Sequence, residues 1–493
     1  MVPSLQEFPM SVYETYEPVI GLEVHAQLQT KSKAYCSDAT EYGAMPNTQI
    51  SPVSLGHPGT LPFFNEKVLE SAIKLGLACQ STIREENQFA RKNYFYADLP
   101  KGYQITQDKT PICNGGFVII RDKEGKEKKI GITRIHMEED AGKSIHDVDP
   151  FHTLVDINRA GVALVEIVSE PDLRSPEDAY AYLTEVRKLV RYLAICDGNM
   201  EEGSLRCDAN VSVRKIGSTK FGNRVEIKNM NSIRNVQRAI EGEIKRQIDL
   251  IEAGESIAQE THSFDASTGK TFVLRSKEMA NDYRYFPEPD LLPVWVTESY
   301  LQEIKNSMPP LPRELFLRYT SSLGLSEYDA GVLTESREFA LYFEKIIQNN
   351  VNPKAATNFM MGPVKSFLNE RAIDILEFPI QPKGIADLLL MIEKGVITNN
   401  IAGQKIFPAM IENPLLSPSE IAEKNNWVTS DNDDELNSFI ALTLDKYPEK
   451  VAEYRNGKKG IAGLFMGEIM KLSKGKADPK KANEMLLKKL DTL

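Results

Sequence analysis

Between residues 204 and 214 the chain alternates apolar and polar side chains without a miss. Leu205, Cys207, Ala209, Val211 and Val213 stand on one side, and Arg206, Asp208, Asn210, Ser212 and Arg214 on the other. A period of two is the signature of a β-strand with one face against a core and the other left polar, and few other folds of the backbone satisfy it. The same pattern runs through residues 16–30, where Ile20, Leu22, Val24, Ala26 and Leu28 oppose Glu23, His25 and Gln27, and again where Val225 and Ile227 oppose Glu226 and Lys228. Any one of these is an ordinary half-buried strand. Placed in one antiparallel sheet, they make a face that carries acids, bases, Asn and His together.

Arg-Ile-His-Met-Glu-Glu-Asp-Ala-Gly-Lys at 134–143 sets three consecutive carboxylates behind a histidine. Two carboxylates about 4 Å apart repel by roughly 1 kcal/mol even in bulk water, and by more in a cleft. The triplet is therefore either a solvated turn or part of a site that holds a hard cation such as magnesium through carboxylate oxygens. Ahead of it, Gly115-Gly116 and the run 122–129 read as a hairpin turn. The aromatic and basic segment Arg91-Lys92-Asn93-Tyr94-Phe95-Tyr96 is either a strand burying its rings or a face that contacts substrate.

Helices have clear starts. A helical stretch runs from Glu66 to about Cys79. Ser175-Pro176-Glu177-Asp178 supplies an N-cap, a proline in the first turn and acids, and Leu183, Val186, Val190 and Leu193 form its buried stripe. The proline-rich run at 308–312 marks a boundary, after which the pattern is helical, with Ala340, Phe343, Ile346 and Ile347 as one stripe. Ser417-Pro418-Ser419-Glu420 opens a last helical unit. These breaks predict three domains: 1–300, 301–412 and 413–493.

With 493 residues, 41% of them hydrophobic, the chain has enough apolar surface for large cores. No apolar run reaches the roughly 18 residues of a membrane helix, and the first 18 residues carry Glu7, Glu14 and Glu17 without a base, so neither a membrane span nor a targeting leader is expected, and the expected location is cytoplasmic. Five scattered cysteines without paired spacing predict reduced, mostly buried thiols. A net charge of −11 argues against a protein that coats nucleic acid over its whole surface, yet residues 444–493 hold 12 Lys/Arg against 7 Asp/Glu, a local basic patch. Ala141-Gly142-Lys143-Ser144 and Thr268-Gly269-Lys270-Thr271 end like phosphate-binding loops, but Met137 and Phe264 stand where the leading glycine belongs, so neither is one. No serine elbow, amidase segment or Cys/His nucleophile pair is present in the pattern.

Six stretches together carry a resemblance: Val19-Ile20-Gly21-Leu22-Glu23-Val24-His25, Arg91 to Tyr96, His136 to Lys143, Met200-Glu201-Glu202-Gly203-Ser204-Leu205-Arg206-Cys207-Asp208-Ala209-Asn210, Glu226-Ile227-Lys228-Asn229-Met230-Asn231-Ser232, and Asp282-Tyr283-Arg284-Tyr285-Phe286-Pro287-Glu288-Pro289-Asp290. The chain resembles, nearly end to end, the B subunits of aspartyl/glutamyl-tRNA amidotransferases. That resemblance implies an α+β fold: an antiparallel-sheet cradle like that of glutamine synthetase and guanidino kinases, then an all-helical middle domain and a helical tail domain. It implies a ligase that forms carbon–nitrogen bonds with glutamine as amido donor. ATP phosphorylates the side-chain carboxylate of Glu-tRNA(Gln) or Asp-tRNA(Asn). Ammonia from an amidase (glutaminase) partner, the A subunit, clamped in a heterotrimer by a small C subunit, then displaces the phosphate. A carboxylate is a poor acylating agent until activated, and phosphoryl transfer chiefly needs positioning and charge neutralisation.

By the same resemblance Glu23, His25, Glu138 and Glu139 bind magnesium. Arg206, Lys228 and Arg284 hold phosphate or the activated acyl group, with Asp208, Asn210 and Glu226 around the reacting end. Arg91, Lys92, Lys143, Asn229 and Glu288 are assigned to the nucleotide, and Lys458, Lys459, Lys471, Lys474 and Lys476 to tRNA. The zinc knuckle that many family members carry falls here on Cys36, Asp38, Ser51 and Ser54, so zinc is not expected. The alternative reading is a noncatalytic tRNA-binding scaffold in which the acidic cluster only organises structure.

Overall fold

A computed structural model describes residues 12–122, 124–276, 283–428, 433–473 and 477–492. The chain divides into two compact units, 1–312 and 313–493. The division falls at the proline-rich run, where three prolines in five residues interrupt backbone hydrogen bonding.

The first unit is built around one sheet. β1 (Tyr16–Gln27) leads through a long loop to α1 (Glu66–Ala78), whose first turn is capped by the Asn65 side chain accepting from Lys67 N. The short strands β2 (Thr82–Ile83), β3 (Ala90–Asn93), β4 (Tyr103–Thr106) and β5 (Cys113–Asn114) precede the hairpin of β6 (Phe117–Arg121) and β7 (Glu127–Glu139). Next come β8 (Ala163–Ser169), α2 (Pro176–Tyr192), β9 (Leu205–Lys215), β10 (Val225–Lys228), α3 (Ile233–Glu252), β11 (Glu260–Asp265), β12 (Lys270–Ser276), β13 (Phe286–Pro287) and α4 (Glu298–Ser307). As the sequence predicts, Ser175 caps α2 by accepting from Asp178 N, and Leu183, Val186, Val190 and Leu193 are buried.

Strand order is β12-β11-β10-β9-β1-β8-β7-β5-β2, with β6 also paired to β7. Every pair is antiparallel except one. β10 and β11 run parallel, which makes the sheet mixed and corrects the expectation of a purely antiparallel one. The physical reason is α3: a parallel neighbour needs a long crossover, and this 20-residue helix carries the chain back to the starting end. α3 packs on α2 and on β9, α2 on β6, and α1 on β7 and α4, so helices cover one face of the sheet. Leu22, Val24, Ala26, Met137, Val165, Leu205, Cys207, Ala209 and Val211 all enter the core beneath them. The alternation does the rest: the opposite face receives the polar residues.

The second unit is helical throughout its described residues: α5 (Pro312–Ser321), α6 (Glu327–Leu333), α7 (Arg337–Ile347), α8 (Pro353–Phe359), α9 (Lys365–Arg371), α10 (Pro382–Glu393), α11 (Phe407–Glu412), α12 (Pro418–Lys424), α13 (Asp433–Lys446), α14 (Pro448–Arg455), α15 (Ala462–Leu472) and α16 (Pro479–Thr492). Ala340, Phe343 and Ile346 form the buried stripe of α7. The expected start at Ser417 is a full capping box with Glu420. α12 packs on α10 and α11, whereas Leu436, Ile440, Phe465, Ile469 and Leu486 of the last four helices gather in a core of their own. No helix among the described residues is long and apolar enough to cross a membrane.

Gly76, inside α1, shows which effect governs the helix-sheet contact. Alanine is the better helix former by up to about 1 kcal/mol, but a Cβ here would lie 2.4 Å from Cys113 Sγ and 2.7 Å from Ile83 Cδ1. Gly76→Ala is expected to lower stability by about 1–3 kcal/mol in a denaturant titration. Adding Cys113→Ala removes the obstructing sulfur and recovers part of that loss; a single mutant as stable as the parent would show the contact to be loose.

Candidate active site

The polar face of the sheet is organised in rows by register. His136 of β7 lies opposite Glu166 of β8, Glu166 opposite His25 of β1, and His25 opposite Arg206 of β9. One register row further, Val168, Glu23 and Asp208 stand side by side. Asn210 of β9 then pairs with Glu226 of β10. Strand pleating, not sequence proximity, brings these groups onto one surface.

Glu166 is buried and contacts both imidazoles, with His25 Nε2 and His136 Nε2 each 3.3 Å from its Oε2. Burial alone would raise its pKa, but the two histidines outweigh that and hold the carboxyl well below its ordinary range. His25 responds in the opposite sense: burial pulls it down, and the charge and hydrogen bond of Glu166, with the field of Asp208, leave it raised. His25, Glu138 and Glu166 offer ligand atoms all within 4.8 Å of one another. Glu23, Asp208 and Glu226 form a second such group. In that second group burial, then the charges of Glu166, Asp208 and Glu226, push the Glu23 carboxyl up against the pull of Lys228.

Cations interleave with these acids. Lys228 pairs with Asp208 and, at 3.2 Å, with Glu226; burial lowers its pKa, but the two carboxylates leave it raised. Asn210 Nδ2 donates to Glu23 Oε1 at 2.9 Å and Thr261 Oγ1 to Glu226 Oε2 at 2.9 Å. Lys92 Nζ is 3.2 Å from Glu138 Oε1, and Arg206 is 2.8 Å from Asp140 Oδ2.

The acidic triplet is no solvated turn: Glu138, Glu139 and Asp140 are all buried. It sits at the end of β7, where alternation sends Glu138 and Asp140 to the polar face and Glu139 to the other side. There Glu139 takes Lys101 and the amide of Ile105. Asp140 accepts from Gln27 Nε2 at 2.7 Å as well as from Arg206, and these contacts, led by Arg206, overcome burial and lower its pKa. Three neighbouring charges thus have three separate cations. Of the residues expected to share one metal, the structure joins His25 with Glu138, sets Glu23 in the second group and places Glu139 behind the sheet.

The remaining predicted residues are scattered. Arg91 makes two hydrogen bonds to Glu288, at 2.7 and 2.8 Å, and one to Asp290 at 3.0 Å, so two residues assigned to the nucleotide hold each other. Asn229, at φ 64°, donates to Ser263 Oγ at 3.1 Å, and Arg284, at φ 44°, accepts at its carbonyl from Asn93. Lys143 lines a cleft of about 910 Å³ together with Gln27, Lys31, Tyr42, Arg159 and Glu202, within the usual size range of ligand sites. In the tail, Lys458 lies 3.1 Å from Glu453, Lys459 lies 3.5 Å from Asp491 and over the Tyr454 ring, and Lys471 is exposed. Asp282, Lys474 and Lys476 lie outside the described residues.

Sequence reasoning missed Glu166, His136, Asp140 and Lys101 as parts of this site. Glu166 had a signal: it is the single acid in the otherwise apolar and small run Ala163–Ser169, and a charge inside a buried strand needs partners.

The donor chemistry fits magnesium. Three carboxylates within 4.8 Å, one of them pushed up first by burial and then by its neighbours' charge, form a hard, charge-rich set that a divalent ion would relieve, and the group with His25 supplies two further carboxylates. The knuckle positions do not fit zinc. Ser54 Oγ contacts Cys36 Sγ at 3.4 Å and donates to Asp38, and the fully buried ammonium of Lys33 lies among them, 3.3 Å from Ser54 Oγ, 3.9 Å from Asp38 and 2.8 Å from Gln49 O. One thiol, one carboxylate and two hydroxyls, of which Ser54's already faces an ammonium, are a poor set for a tetrahedral metal.

A family model described as the GatB/GatE catalytic domain matches residues 18–302, and one described as a GatB domain matches 341–490. Proteins named as the B subunit of aspartyl/glutamyl-tRNA(Asn/Gln) amidotransferase are similar over almost their whole length. That of Thermodesulfovibrio yellowstonii is 49% identical over 473 residues, covering 96% of this chain and 99% of the relative. That of Geotalea daltonii is 50% identical over 478 residues, with 96% and 99% covered. With the charged sheet face lying inside the first matched region, the chain belongs to the family of aspartyl/glutamyl-tRNA(Asn/Gln) amidotransferase B subunits.

Proposed function

We propose that this chain is the component of a glutamine-dependent ligase in which Glu-tRNA(Gln), Asp-tRNA(Asn) or both are activated by ATP and amidated. The observation that carries the reading is the pair of carboxylate groups side by side on one sheet face, interleaved with Lys92, Lys228 and Arg206. Such a face can neutralise phosphate through its cations, and the resemblance implies a cradle like that of glutamine synthetase and guanidino kinases. Magnesium bound to the carboxylates would neutralise charge on the transferring phosphoryl group. Lys228 and Arg206 are fixed by Asp208, Glu226 and Asp140, so their remaining donors are oriented before substrate arrives and can hold a phosphate or an acyl-phosphate oxygen. The resemblance assigns Arg284 to the same end, and its backbone carbonyl is held by Asn93, the residue after Lys92. Ammonia comes from the amidase partner, held through the small third component of the heterotrimer, in the cytoplasm. The separate core of the last four helices supports a distinct tail domain.

Glu138→Gln removes the carboxylate shared by the His25 group and Lys92. In the reconstituted complex it should reduce amide formation on tRNA by about a thousandfold or more, the equivalent of several kcal/mol in transition-state stabilisation. Glutamine hydrolysis by the amidase partner stays measurable. Full amidation by this variant would sink the assignment.

The tail lysines give a second measurement. Replacing Lys458, Lys459 and Lys471 together by Gln should weaken tRNA binding and lower the slope of log affinity against log salt by about two to three, because each phosphate neutralised releases counterions. An unchanged slope would return these lysines to solubility.

The loop before α1 should need no zinc. Elemental analysis of the purified protein is expected to show no stoichiometric zinc, with a melting temperature indifferent to chelator once magnesium is restored. Lys33→Met should cost about 3 kcal/mol, since it leaves the Asp38 carboxylate buried without its cation. One zinc per chain, or a Lys33→Met protein as stable as the parent, would contradict this.

A further inference from the structure

The segment that follows β3 carries rings the activation chemistry above does not use. Tyr96, Tyr94, Tyr283 and Tyr285 form a continuous chain, with centroids 5.7 Å apart for the first pair, 6.2 Å for the second and 5.9 Å for the third. Each contact is edge to face, with interplanar angles of 68°, 72° and 67°, so each covers a face of only one of its two rings and leaves other ring faces uncovered by this series. Tyr96 and Tyr285 remain 62% and 42% exposed.

Backbone bonds hold the two halves together. Asn93 N donates to Tyr283 O at 2.9 Å, and Asn93 Nδ2 reaches Tyr283 O at 3.1 Å and Arg284 O at 2.9 Å. Arg284 between the two tyrosines adopts φ 44°, a conformation rare outside glycine and maintained only where neighbours fix it. The ring chain is thus a positioned surface, not a loop tip.

The middle of the series touches the site. Lys92 Nζ is 5.3 Å from the Tyr283 centroid and 3.2 Å from Glu138. The Tyr94 hydroxyl is pushed upward first by burial and further by Glu138, Asp140 and Glu139, against Lys92, so the field of the acidic groups reaches it.

We propose that Tyr94, Tyr96, Tyr283 and Tyr285 form a stacking platform for the unpaired 3′ nucleotides of the aminoacyl-tRNA. This rests on the function proposed above. The acyl group to be amidated hangs from the last nucleotide, so that nucleotide must lie within one aminoacyl length of Glu138 and Lys92, beside the inner rings Tyr94 and Tyr283. Four rings in series exceed what one base covers and match successive bases of a single strand, the usual use of such aromatic series. The cation next to the rings, Lys92, is already paired with Glu138, which favours ring-to-base contact over backbone contact at this position.

The test uses the reconstituted complex with Tyr96→Ala and Tyr285→Ala, both at exposed rings, and with the corresponding Phe variants. Binding is measured to uncharged tRNA and to the same tRNA trimmed of its unpaired 3′ nucleotides, alongside KM for aminoacyl-tRNA and for ATP. Each alanine variant should weaken intact-tRNA binding and raise the aminoacyl-tRNA KM by roughly 5- to 100-fold. The defect should vanish with trimmed tRNA, the phenylalanine variants should stay within about twofold of the parent because stacking needs the ring and not the hydroxyl, and the KM for ATP should not move. Equal losses on intact and trimmed tRNA, a matching rise in KM for ATP, phenylalanine variants as impaired as alanine, or loss of the partner proteins from the complex would each overturn the platform. Failure of the parent complex to amidate any charged tRNA would instead sink the proposed function, while the binding comparison still judges the platform.

Discussion

The ion triad of His25, Glu166 and His136 sits at the centre of the first unit, and much of the sheet follows from it. A buried carboxylate in the middle of β8 is affordable only with both imidazoles in reach, and each comes from a different neighbouring strand. Removing one partner from such a group typically costs about 3–5 kcal/mol. A slip of either neighbour by one residue would send its histidine into the helix-covered core, so hydrophobic burial on one face and charge pairing on the other specify the same register.

The acidic triplet shows the same agreement between levels. Glu138, Glu139 and Asp140 would repel strongly as neighbours in a turn, but in a strand they point alternately to opposite faces. Lys92, Lys101 and Arg206 then reach them separately from β3, the loop before β4, and β9. What remains on the polar face is an excess of carboxylate around Glu23 that a divalent cation would complement. Catalytic sites commonly hold such uncompensated electrostatic strain, since it is relieved when substrate and metal arrive.

The loop before α1 is cross-linked by hydrogen bonds around one buried lysine. A buried ammonium with hydrogen bonds to Gln49 O and Ser54 Oγ, beside Asp38, ties together residues far apart along the loop. Asn65 adds bonds to Ser32 and Lys33 while it caps α1. Burial lowers the Lys33 pKa, with Asp38 opposing.

The sequence by itself determined β1, β9, β10 and the turn before β7, the caps of α2 and α12, the buried stripes and the family, because alternation, capping and motif order are local signals. It also pointed to Glu23, His25, Glu138 and Glu226. It could not assign them to two groups or make Glu166 the shared partner of two histidines. Those relations depend on register between strands 100 or more residues apart in the chain, such as His25 against Glu166 and Glu23 against Asp208. Nor could it make β10 and β11 parallel neighbours, since that pairing exists only once α3 has crossed the sheet. Local physics writes which side of a strand a residue occupies; only packing of the whole sheet decides which residue stands beside it.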